Sequence, residues 1–141
     1  MKKNRKIWIA ILGLFCLDRL TKYCFFDLQR WKSSLLLEPV FNTGISRGIS
    51  MNLPIVIVVS LIGMGIFTRL WKTKTIKNLT FIFLLAGTLG NFIDRIVFDG
   101  VRDFISIGRF PVFNLADCFL TIAVILWIRG EICSCNSSQK K

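Results

Sequence analysis

Apolar residues in this chain do not alternate with polar ones as they do on an amphipathic helix or a half-buried strand. They run in four near-continuous stretches: "IWIAILGLFCLDRLTKYCFF" (7–26), "LPIVIVVSLIGMGIFTRL" (53–70), "LTFIFLLAGTLGNFIDRIVF" (79–98) and "VFNLADCFLTIAVILWI" (112–128). Each approaches the roughly 20 residues that a helix needs to cross a bilayer. Four soluble core helices would each need a polar face to meet water, and these stretches offer almost none. The pattern therefore predicts an all-α integral membrane protein, a single domain over residues 1–141, with spans at about 7–26, 53–70, 79–98 and 112–128. The last residues, 134–141, read as a disordered tail.

Composition supports the membrane reading. Hydrophobic residues make up 53% of the chain, charged residues only 19%, and mean hydropathy is +0.59. A net charge of +11 would suit a nucleic-acid binder, but the charges are placed otherwise. Lys2, Lys3, Arg5 and Lys6 precede the first stretch. Arg69, Lys72, Lys74 and Lys77 cluster between the second and third, and Arg129, Lys140 and Lys141 follow the fourth. With four alternating spans these all fall on one side, which the bias of Lys and Arg toward cytoplasmic segments makes the inner one. Both termini are then cytoplasmic, and the connections 27–52 and 99–111 face outward. Residues 1–17 resemble a signal peptide, but no small-residue cleavage site follows, so they are read as a retained first span. The five cysteines form no C-x-x-C pair, and a disulfide framework is not expected.

Ionisable residues inside spans are costly and are functional candidates by default. Here Asp18, Arg19 and Lys22 lie past the middle of the first stretch, Asp94 and Arg95 late in the third, Asp117 early in the fourth, and Asp103 just before it. Given the topology, all converge toward the outer face. Asp18 and Lys22 are one helical turn apart and read best as a structural ion pair, with Lys22 free to snorkel outward. Asn91 and Asp94 share a helix face. Gly87 and Gly90 allow close helix approach.

The chain contains no histidine. That excludes Ser-His and Cys-His nucleophiles and makes a catalytic zinc site unexpected. Acid–base chemistry is left to a carboxylate pair, or to Lys22 with Ser46 or Ser106. Two carboxylates in a poorly solvated site share a proton, so one can activate water while the other protonates a leaving group. Asp103 and Asp117 can meet if residues 104–114 fold back as a loop, for which Gly108 and Pro111 supply turn chemistry. An interfacial carboxylate, however, needs no function. Two other readings stay open: a small transporter or proton-coupled channel using Asp94 and Arg95 as a relay, and a non-enzymatic scaffold.

Five blocks in order carry a resemblance: "DRLTK" (18–22), "FNTGISRG" (41–48), "AGTLGNFIDR" (86–95), "GVRDF" (100–104) and "FPVFNLAD" (110–117). Through them the chain resembles the lipoprotein signal peptidases, the signal peptidase II family of bacterial inner-membrane aspartyl proteases. The resemblance implies a four-helix membrane bundle with a small outer β-like cradle, formed in part by 35–49. It implies cleavage of diacylglyceryl-modified prolipoproteins just before the lipid-bearing cysteine, without metal or organic cofactor. By this resemblance Asp103 and Asp117 are the catalytic pair. Asn42, Asn91, Asp94, Arg95 and Asn114 hold substrate or support the site, and Asp18 and Lys22 are a mainly structural pair. The expected partners are the lipid-modified substrate and membrane lipids, with no nucleic acid, and one bundle, a monomer, is expected to suffice. The resemblance falters at Ile45, Ser46 and Arg47, where the family tends toward a small residue and an aromatic one.

Overall fold

The structure is a computed structural model, and it describes residues 2–28, 36–43 and 52–138. Four helices and two short strands follow one another along the chain. Helix α1, Lys2–Lys22, passes without a break into a π-helical turn, Tyr23–Asp27, closed by the bond from Leu28 N–H to Tyr23 O at 3.1 Å. Strand β1 is Leu37–Asn42, α2 is Leu53–Lys72, α3 is Asn78–Phe98, β2 is Val101–Ile105 and α4 is Leu115–Ser138.

The helix boundaries follow local chemistry. Pro54 sits at the start of α2, where its missing N–H costs nothing. Asp99 closes α3 in the left-handed region, φ 60°, its N–H bonded to Arg95 O. Gly100 then lets the chain turn into β2, since a Cβ there would lie 2.7 Å from the Phe41 ring. Two boundaries differ from the hydrophobic pattern. Residues 112–114 lie outside α4: Phe113 forms an isolated bridge with Ile105, because its backbone completes the sheet end. The expected disordered tail from 134 begins inside α4, which continues to Ser138.

Helices α2 and α3 are long and apolar enough to cross a membrane. In α1 and α4 the runs are interrupted by Asp18, Arg19 and Lys22, and by Asp117, Arg129 and Glu131. Large apolar side chains face outward on all four helices, among them Ile9, Leu12, Val59, Ile62, Val97 and Ile125. Exposure on this scale is costly in water and free in lipid. The buried apolar core is correspondingly small: Ile7, Ile11, Phe81, Leu84, Leu85, Phe119 and Ala123 lie within it.

Helix α3 is the spine of the bundle. It buries Phe81, Leu84, Ala86, Gly87, Gly90, Asn91 and Asp94 along one side. The expected role of the two glycines holds. A Cβ on Gly87 would meet Ala116 O at 2.6 Å, and one on Gly90 would meet the Asp18 carboxylate at 2.7 Å. So the α4 backbone lies directly against α3 at Gly87, while the Asp18 carboxylate from α1 takes the space over Gly90. At the other end Trp71 stacks on Phe81 at 4.5 Å, and Trp8 meets both rings edge-on. That cluster brings the start of α1, the end of α2 and the start of α3 to one level.

Strands β1 and β2 form an antiparallel two-stranded sheet, with Val40 opposite Asp103, Phe41 opposite Arg102 and Asn42 opposite Val101. The register is irregular between Leu37 and Val40, where Pro39 cannot donate a ladder bond. The π-helical turn packs against this sheet: Phe25 stacks on Phe104 at 5.6 Å, and Phe26 tilts against Phe41 at 6.4 Å.

Candidate active site

The predicted fold-back of 104–114 occurs. Ile105 and Phe113 exchange backbone bonds of 2.8 and 3.1 Å, Phe110 N–H closes a turn onto Ile107 O, and Gly108 takes φ +56°. The loop carries the chain from Asp103, at the middle of β2, to Asp117, in the first turn of α4. The side chain of Asn114 joins the two. Its Nδ2 donates to Asp103 Oδ1 at 2.6 Å. Its Oδ1 accepts from Asp117 N–H at 3.1 Å, while Asp117 Oδ2 accepts from Asn114 N–H at 3.1 Å. This reciprocal pair is a capping box in which the N3 acid is Asp117. The same local bonds that start α4 therefore fix the carboxylate of Asp117.

Two more amides complete the frame. Asn91 Nδ2 donates to Asp117 Oδ1 at 2.8 Å, and its Oδ1 accepts from Asn114 Nδ2 at 3.1 Å. Asn42 Nδ2 donates to Asp103 Oδ2 at 3.0 Å. Asn42 reaches Asp103 because it pairs with Val101, which puts it on the sheet face two residues along from Asp103. Asp103 is 3% exposed and Asn114 is fully buried. Asp117 and Asn42 are half-buried. Burial pushes the Asp103 carboxyl up to about 6, and the negative charge of Asp117 adds to the rise. The hydrogen bonds from Asn42 and Asn114 and the charge of Lys22 oppose it.

A second carboxylate centre lies beside the first. Asp94 is fully buried. It accepts from Arg19 at 2.6 Å, from Lys22 at 2.9 Å and from Arg102 at 2.8 Å. Arg19 also bonds the Asp18 carboxylate and Gly90 O, each at 2.7 Å. Arg102 reaches Asp27 at 2.6 Å and lies over the Phe98 ring at 4.3 Å. Asp18, fully buried, pairs with Lys22 at 3.1 Å and accepts the Ala116 N–H in the first turn of α4. An acid there complements the positive helix end. This network locks α1, α3, β2 and α4 together. Asn91 links it to the aspartate pair, since its Oδ1 also accepts from Lys22 Nζ at 3.1 Å.

The structure brings Asn42, Asn91, Asn114, Asp103 and Asp117 into one cluster, with Asp94, Asp18 and Lys22 directly beneath. Arg95 stands next to the pair, in the field of Asp117, Asp103 and Asp94. It forms no direct ion pair among the described residues, and its side chain bonds only Asn91 O, at 3.5 Å. Lys22 does not snorkel. It is fully buried, because Asp18, Asp94 and Asn91 satisfy its ammonium inside the bundle. A Ser–Lys system is thereby contradicted for Ser106, whose hydroxyl turns to Glu38 at 3.1 Å. Ile45, Ser46 and Arg47 lie outside the described residues.

Arg19 and Arg102 carry the Asp94 network, yet Arg19 is singled out in the sequence only as an intramembrane charge without a stated partner, and Arg102 not at all. A charge count holds the missing signal, because Asp94 and Asp18 together exceed what Lys22 can neutralise. For Arg102 there is a second one: strand alternation sends it and Asp103 to opposite faces. The capping box, Asn114 followed by Asp117 ahead of an apolar run, was equally readable.

Comparison with known proteins gives the chain's family. The model of the family described as signal peptidase (SPase) II matches residues 10–132. The lipoprotein signal peptidase of Gloeothece citriformis (strain PCC 7424) is 35% identical over 158 aligned positions, spanning 99% of this chain and 97% of the relative. That of Rickettsia canadensis (strain McKiel) is 35% identical over 137 positions, 84% of this chain and 70% of the relative. Among solved structures, a bacterial membrane enzyme determined by the in meso method at 2.3 Å resolution superposes with a TM-score of 0.79 at 28% identity, covering 96% of this chain and 92% of that one. A second, at 1.9 Å, gives a TM-score of 0.74 at 27% identity, covering 89% and 91%. A family model matched over most of the chain, and relatives matched nearly end to end, mean that this chain belongs to the signal peptidase II family.

Proposed function

We propose that Asp103 and Asp117 are the catalytic pair of a bacterial lipoprotein signal peptidase that removes signal peptides from diacylglyceryl-modified prolipoproteins, cutting before the lipid-bearing cysteine. Family membership carries the enzyme class: a membrane peptidase that processes lipoproteins. The observation that carries the residue assignment is the frame of neutral amides. Asn42, Asn91 and Asn114 hold both carboxylates, and no cation bonds either one directly among the described residues. A carboxylate pair needs such a setting to share a proton, because a paired cation would hold both members ionised.

Asp103, the more buried member, carries the shared proton, and Asp117 is the base. Asp117 takes a proton from water as the oxygen attacks the scissile carbonyl, while Asp103 protonates the carbonyl oxygen. Collapse of the tetrahedral carbon then breaks the C–N bond: the proton held by Asp117 passes to the departing amine, and a hydroxyl of the gem-diol returns its proton to Asp103, restoring the starting pair. Arg95, free of direct carboxylate partners, binds substrate backbone beside the pair. Asn42 holds both Asp103 and the incoming peptide from the sheet side. Asp94, Asp18 and Lys22 act beneath the site as its support.

The four helices form a four-span bundle with both termini cytoplasmic and the site at the outer face. The basic clusters at 2–6, 69–77 and 129 support this orientation, since the aromatic cluster of Trp8, Trp71 and Phe81 gathers the first two at one end. The two-stranded sheet then forms an extracytoplasmic cradle over the scissile bond, and membrane lipids surround a single bundle. A relay through the membrane is disfavoured, because the buried charges gather at one end of the helices and neutralise one another.

The test is cleavage in vitro. Purified enzyme is given a diacylglyceryl-modified prolipoprotein and its unmodified counterpart, and the products are read by mass spectrometry. The proposal requires a new N-terminus at the lipidated cysteine and little turnover of the unmodified precursor. Equal cleavage of both, or cleavage elsewhere, would refute it.

A further inference from the structure

The end of the bundle away from the carboxylates holds a second recess. A cleft of about 310 Å³ opens between the first turn of α3 and the later part of α4, lined by Lys77, Leu79, Thr80, Leu126, Arg129 and Gly130. At 1.5 Å per residue it lies roughly 20 Å along α3 from Asp94. Its polar lining consists of donors. Lys77 and Arg129 form no ion pair among the described residues. Thr80 is only 2% exposed, and its hydroxyl has no hydrogen-bond partner among the described residues, so its open side is the cleft.

Thr80 also stands in an uncapped helix turn. No side chain caps α3, and the first backbone N–H bonded within the helix is that of Phe81, to Lys77 O. The N–H groups ahead of it are those that a helix leaves for an outside acceptor. Two cations, a hydroxyl without a protein partner among the described residues and a helix start thus converge where no carboxylate lines the wall. Leu79 and Leu126 form the apolar sides, and a Cβ added to Gly130 would meet no atom within 4 Å. The recess is anionic in preference at one end and greasy along its walls.

We propose that this cleft binds the phosphate of an anionic phospholipid, its glycerol and first methylenes lying against Leu79 and Leu126. Lys77 and Arg129 neutralise the phosphate, and the Thr80 hydroxyl donates to one of its oxygens. Charge complementarity selects this occupant, since the inner surface of a bacterial membrane offers acidic headgroups at that depth. The leaflet depends on the proposed topology, but binding itself does not.

The test uses the full chain in a nonionic detergent. Dioleoylphosphatidylglycerol is titrated in, and bound lipid is counted by native mass spectrometry, so the readout involves no cleavage. Wild type should retain one lipid more firmly than the rest. The double variant Lys77→Gln with Arg129→Gln should weaken that lipid about tenfold or more. Gly130→Leu keeps every charge but fills the cleft, and should weaken it comparably. Lys72→Gln with Lys74→Gln removes equal charge from the neighbouring turn and should leave it in place. If Gly130→Leu binds like wild type, or the Lys72 and Lys74 variant loses as much, the attraction is diffuse and the proposal fails. Dioleoylphosphatidylcholine should bind much more weakly, and equal retention would also overturn it. Displacement by inorganic phosphate at matching concentration would make free phosphate the occupant and defeat the lipid assignment.

Discussion

Two buried carboxylate centres sit side by side at one end of this bundle, and they are built from opposite materials. Asp94 is ringed by Arg19, Lys22 and Arg102, each within 2.9 Å. Asp103 and Asp117 are ringed by Asn42, Asn91 and Asn114. A cationic ring holds one carboxylate charged and ties several helices to it. An amide ring orients two carboxylates without deciding their charge, and so leaves room for a proton to move. Asn91 stands at the border, accepting from Lys22 on one side and donating to Asp117 on the other. If the proposed assignment holds, burial alone does not distinguish a structural acid from a catalytic one. The chemistry of the immediate donors does.

Breaking the cationic side should have the largest effect on folding. Asp94→Asn removes the negative charge that three buried or half-buried cations share, leaving Arg19 and Lys22 to Asp18 alone and Arg102 to Asp27; breaking a buried pair in this way costs about 3–5 kcal/mol. Thermal unfolding in detergent should show a strongly destabilised protein or none that folds. If Asp94→Asn unfolded like wild type, the network would not be structural. The junction within the amide frame comes next. Asn114→Ala deletes the α4 cap and the bridge between the aspartates. Caps contribute about 1–2 kcal/mol, and a displaced catalytic group can cost about 10²-fold in rate. Cleavage should therefore fall much further than stability, and equal losses would show a merely structural asparagine.

The smallest effect sharpens the difference between the rings. The hydrogen bond from Asn42 favours the charged form of Asp103, opposing the rise to about 6 that burial produces. Asn42→Leu should raise that carboxyl further. The pair then keeps its proton to higher pH, and the alkaline limb of kcat/KM moves upward by up to about one pH unit. A limb that moved downward or stayed in place would mean that Asp103 does not hold the proton.

Much of this was legible in the chain. The apolar runs located the helices, and the glycines at 87 and 90 announced the tight packing that the Cβ contacts reveal. The Asp-to-Asp loop was readable from Gly108 and Pro111. The ends of α1 and α4 were less so. The π-helical turn at Tyr23–Asp27 leaves no periodic trace in five residues, and α4 starts late because backbone pairing claims Phe113 for the sheet. Arg19 and Arg102 escaped because an arginine at a membrane edge normally reaches water. The charge count calls for further cations, and the folded chain shows Asp94 drawing these two inward. Lys22 misled in the same way, since its long stem permits snorkelling, and three acceptors inside the bundle override that option.

The most direct measurement is the cleavage rate of Asp103→Asn and Asp117→Asn on a diacylglyceryl-modified prolipoprotein, normalised to folded enzyme by thermal unfolding. Neither aspartate is bonded directly to a cation among the described residues, so both variants should fold with near wild-type stability. Each should lose about 10³-fold or more in turnover. Near wild-type turnover in either variant would contradict the proton-sharing pair.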